Sequence, residues 1–589
     1  MSEPGDRASK SIALQGAQAV NVVEGESVSL ENGRGEDAPP GVQGVWRAQK
    51  SFHRKLGDLG GASPLVVGGR QSRERNKRQS ATVASEESDE AIVPEKPAKM
   101  RVTPFEPVEG RAEAKGNAAA RNTSSTQSEQ DVQTAMQRIR ERAAQKPVEK
   151  WTNLISHVQA PLLREAYHSL RKRAAAGVDG VTWEAYGERL DERLSDLVGR
   201  VHRGSYHPQP VRHVEIPKGK GATRPLGIPA LEDKIVQQAV RWLLEPIYEA
   251  EFIGFSYGFR PKRSAHDALD ALYTALMRRV DWVLDADIRS FFDTIDHGWM
   301  QKFIEHRIGD RRLVHLLMKW MKAGIMKDGR FHEVKEGTPQ GGIISPLLAN
   351  IYLHYVFDLW VQSWRLTQAN GDVYVVRYAD DLVVGFQLEQ DARAMHRALS
   401  ERLAKFGLEL HPDKTRVMEF GRYALRERER KGLSRPETFT FLGFVHIAGT
   451  SRKGRFQLQR QTSGKKLRAS LARIKEACRE RRHLPVVDQH AWLRSVVVGH
   501  VNYYGVPTNS PALQVFHREV TRIWHRSLAR RSQRGRWRQG QRARFLKRFS
   551  LPAPRIVHPW PNERFFQRHT QGGSPVREIR SPGSVRGAG

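Results

Sequence analysis

The 589-residue sequence contains a single cysteine, Cys478, and this scarcity excludes two kinds of site. One thiol can form neither an internal disulfide nor a zinc site built from several cysteines. Cys478 follows Leu467, Leu471 and Ile474 in a helical apolar pattern, so we predict a buried structural thiol.

Long apolar runs are missing as well. No stretch reaches the roughly 18 apolar residues that a membrane-spanning helix needs. The N-terminus, Met1-Ser2-Glu3-Pro4, is polar and acidic, unlike a signal peptide. These absences predict a soluble intracellular protein with no membrane partner. We also expect a cytoplasmic location in a bacterium, with association with the nucleoid left open.

Carboxylates are scarce relative to cationic side chains. The chain has 97 Lys and Arg against 65 Asp and Glu, with a formal net charge of +32 and a pI of about 10.4. Such an excess is typical of nucleic-acid-binding proteins, although a generally basic, Arg-rich proteome would produce the same sum. The distribution favours nucleic acid, because Thr521 to Arg548 holds eleven Lys or Arg residues and no carboxylate.

Aromatic residues interrupt this basic stretch at Trp524, Trp537 and Phe545. Arginine and aromatic side chains together can pair with phosphates and stack on unpaired bases. We therefore predict RNA binding here, with strongly salt-dependent affinity. The arginines expected to take part are Arg522, Arg526, Arg530, Arg531, Arg534, Arg536 and Arg538.

The most informative run is Tyr378-Ala379-Asp380-Asp381, which lies between two short apolar, β-branched stretches. This pattern predicts a β-hairpin with two adjacent carboxylates at its tip. Such carboxylates repel each other and lose solvent, and a divalent cation removes that cost. The oxygen ligands suit Mg²⁺, which usually binds one or two carboxylates together with substrate phosphates. A solvated hairpin tip is the alternative for the tetrapeptide taken alone.

A third carboxylate is expected from the strand-like run at 282–288. Strand alternation places Asp285 and Asp287 on the same face, so geometry alone does not choose between them. Asp293 and Asp296 are better explained as structural residues, with Asp296 at a helix N-cap. Asp287 and Asp380 could hold two Mg²⁺ ions about 4 Å apart, the arrangement polymerases use for phosphoryl transfer.

Together with other motifs, these runs resemble the group II intron-encoded proteins, which are reverse transcriptases with an attached maturase domain. The similarity covers roughly residues 150 to 560. The matching runs, in chain order, are Gly177–Val181, Ile216–Pro229, Tyr257–Ala268, the Asp287 strand, Gly337–Asn350, the Tyr378 hairpin, Gly407–Thr415, Phe441–Phe444 and Asn502–Gly505.

The resemblance implies an α+β right-hand polymerase, whose fingers and palm combine mixed sheet and helices, followed by a helical thumb and maturase domain. We place a disordered leader at 1–130 and a helical segment leading into the fingers at 131–204. Fingers and palm occupy 205–450, the thumb and maturase RNA-binding domain 451–563, and a flexible tail 564–589. The leader has too few large apolar residues to offset its ordering entropy.

The resemblance also implies roles in RNA-directed DNA synthesis. Asp287 and Asp380 would bind two Mg²⁺ ions directly, with Mn²⁺ as a possible substitute, and Asp381 would orient the ion or the primer end. Lys218 and Arg224 match positions that grip the triphosphate of the incoming dNTP, where Arg suits paired phosphate oxygens. Ordinary strand-edge charge is the alternative for both residues.

Further residues are expected around the nucleotide and the nucleic acid. Phe292 matches the bulky side chain that excludes a ribose 2′-hydroxyl, unless it is a core aromatic. Gln340 lies in a Gly-rich run that would approach the template–dNTP pair. Lys414 would protonate or neutralise the departing pyrophosphate, unless it is an ordinary turn residue. Arg260, in the Tyr257 run, is expected to contact nucleic acid.

The implied partners are intron RNA, an RNA template, a DNA or RNA primer and dNTPs, and the sequence does not indicate an oligomeric state. Tyr503 and Tyr504 are better explained as core residues than as RNA contacts. Many relatives end in an endonuclease segment with His, Asn and paired Cys ligands. Because no such ligands follow residue 570, self-supplied DNA cleavage is not expected.

Two alternative functions stay open at this level. The chain could be a splicing cofactor whose polymerase activity is dispensable. It could also be a domesticated reverse transcriptase that serves antiviral defence.

Overall fold

The structure is a computed structural model that describes residues 127–146, 148–219, 222–327, 329–334, 336–338, 341–531 and 540–561. Except for its last four residues, the predicted leader lies outside the described residues, as does the predicted tail.

Helices dominate both ends of the described chain. In chain order they are α1 (Gln127–Gln145), α2 (Ala160–Ser169), α3 (Trp183–Gly187), α4 (Leu190–Arg203), α5 (Leu231–Glu249), α6 (Ala265–Leu276), α7 (His297–Arg307), α8 (Arg311–Met321), α9 (Ser345–Leu353), α10 (Leu359–Thr367), α11 (Glu389–Ala404), α12 (Arg422–Arg430), α13 (Gly464–Glu480), α14 (Val486–Tyr504), α15 (Ser510–Ala529) and α16 (Gln541–Arg548).

Strands occupy the middle of the described chain. They are β1 (Val211–Gly219), β2 (Ala222–Ile228), β3 (Trp282–Asp287), β4 (Ile325–Lys327), β5 (Arg330–His332), β6 (Val373–Tyr378), β7 (Asp381–Phe386), β8 (Arg416–Glu419), β9 (Phe439–Phe441), β10 (Phe444–Thr450) and β11 (Phe456–Thr462). They form three sheets, ordered β2-β1-β4-β5, β6-β7-β3-β8 and β11-β10-β9. The predicted α+β class is confirmed.

The second sheet is fully antiparallel, and β3 lies inside it between β7 and β8. Its apolar face joins α6 and the third sheet in one buried cluster, which includes Leu269, Val283, Val383 and Phe441. A strand that is held on both edges and packed on one face has little freedom to slip in register. The sheet therefore gives the acids at its end a fixed frame.

Local signals at helix ends agree with the structure. Asp296 accepts a hydrogen bond from the backbone N–H of Trp299 at 2.7 Å, so the predicted N-cap of α7 is confirmed. Ser264 and Asp267 form a reciprocal capping box at the start of α6. None of the described helices is long and apolar enough to cross a membrane.

The C-terminal helices α13, α14 and α15 enclose a second apolar cluster. Cys478 is buried in it, which confirms the prediction of a structural thiol. Trp524 is also in this cluster, fully buried, and its indole N–H donates to Gln489 Oε1 at 3.0 Å. The expectation that Trp524 stacks on RNA bases is therefore wrong, because its ring forms the helical core.

We expect Trp524→Ala to lower the free energy of unfolding by about 3–5 kcal/mol, because the truncation leaves a cavity. Chemical denaturation followed by circular dichroism measures this change. Arg522→Ala, on the exposed face of the same helix, is the control and should shift stability by less than about 0.5 kcal/mol. Equal effects of the two changes would contradict the core assignment.

Candidate active site

The acidic hairpin has the predicted form. Strands β6 and β7 pair Tyr378 with Asp381, which leaves Ala379 and Asp380 as a two-residue turn. Ala379 has φ +56°, the left-handed conformation that such tight turns use. The predicted β-hairpin with adjacent carboxylates at its tip is confirmed, and we call residues 378–381 the acidic turn.

Strand β3 brings a third carboxylate to this turn. Asp287, its last residue, pairs directly with Asp381 across the β3–β7 ladder. Residues directly opposite in an antiparallel pair have Cβ atoms about 4.5–5.5 Å apart. Asp285 is one pleat farther from the turn, opposite Val383 and Arg416. The register thus distinguishes the two strand acids, which alternation alone could not do.

The carboxylates at this end of the sheet repel one another. Burial raises the pKa of Asp381 well above its usual range, and the neighbouring carboxylates Asp380, Asp287 and Asp285 raise it further. Burial, reinforced by Asp287, also raises the pKa of Asp285 to about 7. A cation bound among these groups would offset both the cost of burying the charged carboxylates and the repulsion between them.

The oxygen donors present fit Mg²⁺ or Mn²⁺ by their chemistry. Within the described ranges, no group of three or more His, Cys, Asp or Glu side chains is arranged to hold a metal ion. A partial set is what Mg²⁺ commonly uses when substrate phosphates supply the remaining ligands. The acids therefore suit a metal that arrives with a nucleotide.

Lys414 forms an ion pair with one of these acids. Its Nζ lies 3.0 Å from Asp287 Oδ2, with both side chains largely buried. The backbone holds this segment against β3, since the N–H of His411 donates to the Asp287 carbonyl at 2.8 Å. Lys414 thus belongs to the carboxylate cluster and is more than an isolated turn residue.

Phe292 is half-buried in a 3₁₀ turn at Phe291–Asp293, shortly after β3. The N–H of Thr338 donates to the Phe292 carbonyl at 2.8 Å, which ties this turn to the Gly-rich run. In the same run, Gly341 has φ +120° and lies so close to Gly227 that a Cβ would meet its carbonyl oxygen at 2.2 Å. The run therefore lies against β2.

Three predicted nucleotide contacts are only partly placed. Lys218 and Arg224 lie on the paired strands β1 and β2, and Arg224 is opposite Ile216. Gln340 and the side chains of Lys218 and Arg224 lie outside the described part of the chain.

Arg260 requires a correction. Its guanidinium is buried, pairs with Glu249 at 2.9 Å and donates to the carbonyls of Ile253 and Ser256 at 2.8 Å each. A buried guanidinium with these partners cannot reach a nucleic acid, so the predicted contact is wrong. Its role is to brace the loop before it.

The basic C-terminal stretch is exposed where the structure describes it. Arg522, Arg526, Arg530 and Arg531 are exposed on α15 or directly after it. Arg522 pairs with Glu519, and Arg531 donates to the Leu484 carbonyl. Arg534, Arg536, Trp537 and Arg538 lie outside the described residues.

Tyr503 and Tyr504 pack against the cluster shared by the second and third sheets. The Tyr503 hydroxyl donates to the Leu442 carbonyl at 2.9 Å. The expectation that this pair is structural is confirmed.

Sequence reasoning did not find the polar network beneath the acidic turn. The buried side chains of Arg377, Asp358 and Asn350 meet there. Asn350 lies in a run that the sequence had singled out, which was the one available signal.

Comparison with known proteins agrees with this geometry. Residues 216–446 match the family described as reverse transcriptase (RNA-dependent DNA polymerase). The chain is 37% identical to Protein YkfC of Escherichia coli over an alignment of 297 residues that covers 44% of this chain and 77% of that protein. The chain belongs to the group II intron reverse transcriptase/maturase family.

Two further relatives are named for introns. Group II intron-encoded protein LtrA of Lactococcus lactis is 38% identical over 221 residues, 37% of each chain. The Putative COX1/OXI3 intron 1 protein of Saccharomyces cerevisiae is 27% identical over 314 residues, 45% of this chain and 37% of that protein. The chain thus matches well under half the length of these two relatives.

Gly258 packs directly against the backbone of the acidic turn. A Cβ at Gly258 would lie 2.2 Å from the backbone nitrogen of Ala379. Because Gly258→Ala must displace the turn, we expect template-directed DNA synthesis to fall by about 10²-fold. Primer-extension assays would measure it. Gly499→Ala, on a helix with open space around the added carbon, is the control and should leave synthesis unchanged.

Proposed function

We propose that this chain is an RNA-directed DNA polymerase that also binds intron RNA as a maturase, assisting group II intron splicing and mobility. The observation that carries the polymerase proposal is the direct pairing of Asp287 with Asp381 beside Asp380. Carboxylates crowded at the end of a rigid sheet are a costly arrangement, and phosphoryl transfer assisted by divalent cations explains it.

In the proposed reaction, the primer 3′-oxygen attacks the α-phosphate of a bound dNTP and pyrophosphate leaves. Asp287 and Asp380 would hold the metal ions, and Asp381 would orient an ion or the primer end. When bound, Mg²⁺ neutralises the phosphate charge that develops during transfer. Lys414, which contacts Asp287 in the present structure, would turn to the pyrophosphate and balance its charge.

Substrate selection would involve the surrounding elements. Phe292, next to the strand that carries Asp287, would exclude a ribose 2′-hydroxyl by contact. Lys218 and Arg224, on the β1–β2 hairpin, would grip the triphosphate, and Gln340 would lie against the template–dNTP pair. Support comes from Gly341, because its close packing on Gly227 brings the Gly-rich run against this hairpin.

The domain assignment follows from these roles. We propose that residues 131–204 lead into the fingers, 205–450 form fingers and palm, and 451–563 form the thumb and maturase domain. The exposed arginines of α15 would contact phosphates of intron RNA, template or primer.

The two alternatives have less support. An intact carboxylate set argues against a splicing cofactor without polymerase activity. The resemblance to proteins named for introns argues against a role in antiviral defence.

The decisive variant is Asp380→Asn combined with Asp381→Asn. We expect primer extension on an RNA template with dNTPs and Mg²⁺ to fall by at least about 10³-fold. Losing a group that stabilises the charge developing in the transition state has effects of this order. Splicing of a bound intron RNA should persist. Asp372→Asn, an exposed change at the other end of β6, is the control. Undiminished DNA synthesis by the double variant would exclude the proposed site.

RNA binding has its own test. In the combined Arg526→Gln and Arg530→Gln variant, we expect the slope of log affinity against log salt to decrease by about 0.7 for each lost phosphate contact. Filter binding with an intron RNA at several salt concentrations measures the slope. Arg393→Gln, exposed on α11, should leave it unchanged. An unaltered slope in the double variant would remove these arginines from the interface.

A further inference from the structure

Arg377 directly precedes the acidic turn, and its side chain is fully buried. Its Nε and Nη2 donate to the two carboxylate oxygens of Asp358 at 2.7 and 2.5 Å. Its Nη1 donates to Asn350 Oδ1 at 3.0 Å and to the Ala379 carbonyl at 3.1 Å. One planar guanidinium thus joins a helix residue, an amide side chain and the backbone of the turn.

The Ala379 carbonyl belongs to the peptide unit that leads into Asp380. A hydrogen bond to this oxygen therefore fixes the orientation of the peptide plane from which Asp380 projects. Ala379 also has φ +56°, a conformation that costs a non-glycine residue energy and persists only where the surroundings hold it. Arg377 supplies part of that restraint.

A second set of contacts connects Arg377 to Ala379 through Asn350 and Gly258. Asn350 Nδ2 donates to the Gly258 carbonyl at 2.7 Å, and Gly258 packs directly on the Ala379 nitrogen. Asn350 therefore bridges Arg377 to the glycine beneath the turn. Gly258, Asn350 and the run from Arg377 to Ala379 are far apart in the chain and meet here. The contacts that join them do not involve the acidic side chains themselves.

The backbone of Arg377 is also fixed. Its N–H donates to the Phe255 carbonyl at 2.9 Å, and its carbonyl accepts from the Tyr257 N–H at 2.8 Å. Asp358 ends a π-helical turn at His354–Asp358, a rare distortion that is frequent at functional sites. Both partners of the ion pair are therefore held before any substrate arrives.

We propose that Arg377, with Asn350 and Asp358, is the positioning group of the acidic turn and holds Asp380 and Asp381 toward Asp287. The proposal rests on the proposed polymerase function. Arginine suits the position because one rigid fork serves four acceptor oxygens on three residues, which a lysine ammonium cannot match. Stability alone does not explain the pair, because apolar residues of similar volume often replace a buried ion pair at no cost.

The test removes both charges together. In Arg377→Met with Asp358→Leu, we expect kcat for primer extension to fall by about 10²-fold, with little change in KM for dNTP. Amide hydrogen exchange in the peptide covering 377–382 should accelerate by about tenfold, as expected for a lost hydrogen bond to a charged donor. Mn²⁺ binding, followed by electron paramagnetic resonance, should weaken in the same variant.

A matched control comes from a second buried pair. Arg460 Nη1, on β11, lies 3.0 Å from Asp270 Oδ1, on α6, so this pair links the third sheet to α6. Arg460→Met with Asp270→Leu should leave exchange at 377–382 and Mn²⁺ binding unchanged. If both double variants impair these readouts equally, the role of Arg377 is merely structural and the proposal fails.

Two single variants test the proposal even if the Arg377→Met, Asp358→Leu double variant does not fold. Asn350→Ala keeps the ion pair but breaks the bridge to Gly258, and it should also accelerate exchange at the turn. Arg377→Lys keeps the charge without the fork and should not restore wild-type exchange. Wild-type exchange in both variants would overturn the proposal. If the wild-type protein makes no DNA, the proposed function fails, while exchange and Mn²⁺ binding still test the positioning role.

Discussion

Repulsion between carboxylates at one end of the second sheet is the constraint on which the site depends. The β3–β7 register places Asp287 opposite Asp381, and the tight turn adds Asp380 beside them. Burial and like charge together raise the pKa of Asp381, so the metal-free arrangement is unfavourable by itself. A fold can keep such a cluster only where the backbone has no easy route to separate the acids.

The surrounding structure removes those routes one by one. Strand β3 cannot shift because β7 and β8 hold both of its edges. The turn cannot move inward because Gly258 packs on its backbone, and its carbonyl is held by Arg377. Lys414 offsets part of the charge through its ion pair with Asp287. The acids are therefore held together although they repel one another.

The sequence predicted the parts of this site that depend on local pattern. A β-branched hairpin and strand alternation are visible in short windows, so the turn and the face of Asp287 could be foreseen. Register could not be foreseen, because it depends on pairing between strands about a hundred residues apart. That pairing alone placed Asp287 at the turn and Asp285 behind it.

The two wrong predictions, for Arg260 and Trp524, share a physical origin. Arg260 and Trp524 lie in basic or motif-rich runs, and composition made both residues seem available to nucleic acid. Their partners, Glu249 and Gln489, are 11 and 35 residues away along the chain, so only the folded structure shows them. The sequence gives the number of arginines but does not show which side chains are buried and which are exposed.

Arginine consequently has two separate uses in this chain. Arg526 on α15 and Arg530 directly after it are exposed, so their charge can attract phosphates at a distance and is screened by salt. Arg377 and Arg260 are buried, and what matters there is the geometry of the guanidinium, which satisfies several acceptors in one plane. The net charge of +32 therefore overstates the binding surface, because part of it is used to build the frame that holds the acids. A polymerase site made from mutually repelling acids needs such internal cations as much as it needs a basic surface for the nucleic acid.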